Sequence, residues 1–148
     1  MARATARAAA MQLLFEKLLG GQGGEESLRL VCEQFQQEKE GENPFDLSRD
    51  DRAYVTDVLS GVAYHQAVLD ENIQEFSVDW SMDRMSKVDL TILRLAAYEI
   101  LFREDVPGSV AINEAVELAA RYSDPAAGRF INGVLGSILR KKEAQEQA

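Results

Sequence analysis

Apolar residues recur three and four positions apart along almost the whole chain, the spacing that lines one face of an α-helix. The pattern predicts a first helix over about 3–19, closed by the loop GGQGG, and a second over about 25–40, closed by GENP, where Pro44 bars continuation. Ser48 opens a long helix to about Phe76, with Asp51 three residues on as an approximate capping box. A short helical turn is expected near Trp80–Met85 and a helix over about 87–103. After DVPGS, Ser109 is the expected N-cap of a helix over about 110–122. After SDPAAG, a last helix is expected over about 126–142, with the tail 143–148 fraying. No segment alternates like a strand. The expectation is an all-α protein: a single domain, built as a compact bundle of about seven helices.

Composition agrees with a packed domain. The chain has 148 residues, 46% of them hydrophobic, enough for a core of its own. Cys32 is the sole cysteine, so an internal disulfide is excluded and a reducing compartment fits. The start, MARATARAAAMQLLF, has no secretory apolar region, and no run approaches a membrane span. A cytoplasmic protein with no membrane association is expected.

Charge changes the picture more. The formal net charge of −9 argues against a general nucleic-acid coat. Yet the acids concentrate at 25–51, with nine against three bases, whereas 121–142 carries five bases against Asp124 alone. The first helix begins with Arg3 and Arg7 and no acid, although a helix N-terminus favours acids. Four residues apart, the two arginines share a face. A solvent-facing positive start suits an anion; equally, it suits a merely solvated terminus.

The last helix holds a second oddity. In GRFINGVLG, Gly133 and Gly136 lie mid-helix, where each glycine costs about 1 kcal/mol relative to alanine. At 100° per residue, Ile131, Val134, Leu135, Ile138 and Leu139 form an apolar stripe. Arg129, Gly133, Gly136 and Arg140 fall opposite, with Phe130 at the stripe's edge. Two readings stand side by side: a neighbouring helix crosses tightly at the glycines, or an external partner approaches bare backbone. Arginine for phosphates and an aromatic ring for a base suit an RNA strand.

Catalytic chemistry is missing. His65 is the only histidine and sits in a helical pattern, and no metal-ligand spacing or P-loop occurs. Glu99, Glu114 and Glu117 read as solvated or capping residues, and Phe76, Trp80 and Tyr98 as core aromatics. No enzyme, cofactor or metal is expected.

The pieces RATARAAAMQLLF, LSGVAYHQAVLDENI, DLTILRLAAYEI, VPGSVAINEAVELA and RFINGVLG, in that order and spacing, resemble the NusB family of bacterial transcription antitermination factors. The resemblance runs through nearly the whole chain. It implies two small helical subdomains, about 1–78 and 79–142. It also implies binding to the boxA segment of ribosomal RNA leader transcripts together with NusE, a small-subunit ribosomal protein. The pair would then join an RNA polymerase complex that resists termination. Carried over by position, the RNA side includes Arg3, Arg7, Arg129 and Phe130, and Phe15 where the family often has tyrosine. Asp89 matches an acidic position used toward NusE, and Phe76 is a second residue for that side. Some members of the family self-associate, so a homodimer is a further expectation. The alternative from a different class is a non-catalytic helical adaptor that binds only protein partners.

Overall fold

The computed structural model describes residues 2–20, 49–77 and 82–147. Among them are α1 (Ala2–Leu18), α2 (Arg49–Phe76), a 3₁₀ turn (Met82–Arg84), α3 (Lys87–Phe102), α4 (Gly108–Tyr122) and α5 (Ala127–Gln147), with no strand. The all-α class therefore holds, but the described residues form five α-helices rather than about seven. The helix expected over 25–40 lies outside the described residues, as do Cys32, Ser48 and Trp80. The turn expected near Trp80–Met85 is a three-residue 3₁₀ turn at Met82–Arg84.

The chain divides into two compact units, Met1–Ser60 and Gly61–Ala148, and the division falls inside the unbroken helix α2. In the first unit, α1 is buried on every side from Ala6 to Met11. Alanine has the highest helix propensity and only a methyl side chain, so such a run stays helical while allowing close neighbours. Gly20 ends α1 in the left-handed conformation at φ 97°, its N–H donating to Lys17 O at 3.0 Å. Tyr54, Val55 and Val58 of α2 are buried.

In the second unit, α3 is the central helix. Every residue from Leu90 to Ile100 except Arg94 is buried, and α3, α4 and α5 pack against one another. Ser86 caps α3, its hydroxyl accepting from the Asp89 N–H at 3.0 Å. Arg94 makes a two-pronged bond to Asp70 of α2, at 2.8 and 2.9 Å. Gly61 of α2 lies against the Tyr98 ring, and Gly108 against Leu139, so a Cβ at either place would collide. These are the tight approaches at glycines among the described residues of the unit.

Two helix ends differ from expectation. Ser109 is not the N-cap of α4: Pro107 holds that position and Gly108 starts the helix, with no side-chain cap. Pro107 presets its own φ and needs no N–H where the helix leaves one unpaired. The segment 143–148, expected to fray, continues α5 to Gln147. Lys142 anchors this end: its Nζ donates to Ile100 O at 2.7 Å near the close of α3, and lies 3.7 Å from Glu146 one turn on.

Candidate nucleic-acid and protein interfaces

The start of α1 is organised by Tyr54. The Arg3 guanidinium lies 4.6 Å from the Tyr54 ring centre and that of Arg7 5.6 Å, both as cation–π contacts. Arg3 also donates to Asp51 Oδ1 at 3.3 Å. The aromatic face and carboxylate supply negative potential that offsets two cations near a helix N-terminus. The arginines differ in exposure. The Arg3 side chain is 35% exposed, but Arg7 is 4% exposed, inside the buried run of α1. The expectation that both face solvent is thus corrected for Arg7, because the Tyr54 ring offers its cation an inward resting place. Phe15, two turns on, is half-buried.

The face of α5 is built as its pattern predicts. Ile131, Val134, Leu135 and Ile138 are buried, Leu139 is half-buried, and Arg129, Gly133 and Arg140 are exposed. Phe130 sits half-buried at the edge. A Cβ added at Gly133 would meet nothing within 4 Å among the described residues, and one at Gly136 only the guanidinium of Arg140. The tight helix crossing is therefore not found at these glycines; it is found at Gly61 and Gly108. Backbone stays open on a face bearing two arginines. Ser137 donates to Gly133 O at 3.0 Å and accepts from Arg140 Nη2 at 3.1 Å, which lays the Arg140 side chain along the helix.

Asp89 stands in the first turn of α3, half-buried, and accepts from the Ser123 hydroxyl at 2.6 Å. Phe76 ends α2, half-exposed, with Lys141 Nζ 6.0 Å from its ring centre and 2.7 Å from Glu75. His65 lies parallel to the Phe102 ring with centroids 3.8 Å apart, and Tyr64 meets its edge. It is thus part of an aromatic stack. Among the described residues no group of histidine, cysteine and acid side chains could hold a metal, and no helix is long and apolar enough to cross a membrane.

Sequence reasoning missed Tyr54, which gathers the arginines, and Ser123, which holds Asp89. Only spatial proximity reveals either. Gly61 carried a readable signal, a glycine in the interior of a long helical pattern.

The fold matches solved structures of NusB proteins. NusB of T. maritima matches with a TM-score of 0.74 at 30% identity, covering 97% of this chain and 96% of that one. A crystal structure of the antitermination factors NusB and NusE in complex with dsRNA matches with a TM-score of 0.75 at 27% identity, covering 95% and 97%. The transcription antitermination protein NusB of Acetivibrio thermocellus is 43% identical over 142 residues, 96% of this chain and 91% of its own length. The NusB family model matches residues 4–140, and the chain belongs to the NusB family.

Proposed function

We propose that the chain is a non-catalytic, cytoplasmic transcription antitermination factor. It binds boxA RNA of ribosomal RNA leader transcripts together with NusE and joins the RNA polymerase antitermination complex. Family membership supports the class of function, and the related structure that holds NusB, NusE and dsRNA supports the two partners. One observation of this chain carries the RNA reading: the open backbone at Gly133 between exposed Arg129 and Arg140, with Phe130 beside it. Arg3, Arg129 and Arg140 meet phosphates, and Phe130 stacks on a base. Phe15 adds apolar contact. Arg7, buried beside Tyr54, holds the start of α1 that presents Arg3. Asp89 and Phe76 face NusE, where an acid opposite a basic ribosomal protein gives complementary charge.

The test is Phe130→Ala in a boxA RNA titration. The stacking reading expects a loss of about 1–3 kcal/mol with almost no change in salt dependence. The same variant is melted in parallel. Normal RNA binding with much earlier melting would make the ring a core residue and remove the centre of the proposed site.

A further inference from the structure

Asp89 and Ser123 come from ends of two neighbouring helices. Asp89 lies in the first turn of α3, and Ser123 closes α4, its N–H bonded to Ala119 O at 2.8 Å. Their side chains meet, Ser123 Oγ donating to Asp89 Oδ1 at 2.6 Å. That is the length of a charge-assisted bond between a hydroxyl and a carboxylate. Both residues are half-buried. The Asp89 N–H is separately bonded to Ser86 Oγ, so backbone and side chain are each fixed.

A carboxylate offers two oxygens and about four acceptor positions. The serine takes one position on Oδ1, which leaves the Oδ2 side for a donor arriving from outside. A carboxylate already oriented loses less rotamer freedom when that donor binds. We propose that Ser123 is a positioning residue of the protein interface, holding the Asp89 carboxylate ready for a Lys or Arg side chain of a basic protein. This rests on the reading that Asp89 faces NusE. The Ser123 O–H is already donated to Asp89, so the serine acts on the partner through that carboxylate.

The experiment is a double-mutant cycle of affinity for the cognate NusE protein, using the full chain. The variants are Ser123→Ala, Asp89→Ala and both together, with Ser123→Thr as a control that keeps the hydroxyl, and each is melted alongside. Ser123→Ala should weaken NusE binding about threefold to tenfold, the effect of one hydrogen bond. Ser123→Thr should bind as the unaltered chain does, and Ser123→Ala should add nothing once Asp89 is alanine. If Ser123→Ala itself melts early, Ser123→Cys, close in volume and a much weaker donor, replaces it in the cycle. An equal loss in both backgrounds, or no loss while Asp89→Ala weakens binding, overturns the role of Ser123 and leaves Asp89 at the interface. Unchanged affinity for Asp89→Ala overturns the interface reading and the positioning role together.

Discussion

Arg3 and Arg7 stand four residues apart in α1, yet their surroundings give them different work. On the proposed reading Arg3, one-third exposed beside Asp51, meets a phosphate, whereas Arg7 is 4% exposed beside Tyr54. Arg3→Ala is expected to flatten the slope of log affinity against log salt by about 0.7, one phosphate contact on a single strand. Arg7→Ala is expected to lower the melting temperature and leave that slope close to its original value. Salt titrations of the two variants separate these roles; a flattened slope for Arg7→Ala would place its guanidinium at the RNA. The glycines divide in the same way. Gly133→Ala meets open space and should stabilise the fold by up to about 1 kcal/mol while weakening RNA binding. Gly61→Ala drives a methyl into the Tyr98 ring and should destabilise by about 1–3 kcal/mol. Denaturant unfolding of the pair checks both signs. The sequence showed that glycines 133 and 136 lie off the apolar stripe, because that depends on the helical period alone. It did not show the burial of Arg7, because that depends on a tyrosine 47 positions away in the chain.

At the scale of elements, the helices among the described residues were legible where a strong apolar period met a clear breaker. The expected 3–19 lies one residue off α1 at each end, 87–103 shares the start of α3 and overruns its end by one residue, and Phe76 closes α2 as expected. The misses fall where a terminus is set by tertiary contact or backbone chemistry. Ser109 has the right side chain for a cap, but Pro107 two residues earlier already fits the helix entry. The end of α5 looked like a polar tail because its anchor is not in its own sequence: Lys142 reaches a carbonyl of α3. Lys142→Ala should therefore loosen the last turns of α5 and expose the end of α3, at a cost of about 0.5–1.5 kcal/mol. Hydrogen exchange should show faster amide exchange after residue 138, with α4 unchanged. Unchanged protection there would mean that the helix holds its last turns without the lysine.

For the whole molecule, charge is spread unevenly along the sequence, and on the proposed reading that distribution, not the net value, selects the partner. A formal charge of −9 disfavours nucleic acid, yet Arg129 and Arg140 are exposed on α5 with open backbone between them, and the Arg3 side chain is 35% exposed. Family and all-α class were both legible, the first from motifs spread over nearly the full length and the second from periodicity. Modest contacts to RNA and to a basic protein, joined on a shared target, raise affinity beyond either alone. This combination is the central claim, and a titration of boxA RNA at two salt concentrations, with and without NusE, tests it most directly. The account predicts weak binding by the chain alone, with a salt slope of about −2 from three arginine–phosphate contacts. It also predicts markedly tighter binding when NusE is present. RNA affinity that is indifferent to salt and unchanged by NusE would contradict the account and leave a helical adaptor that binds only protein.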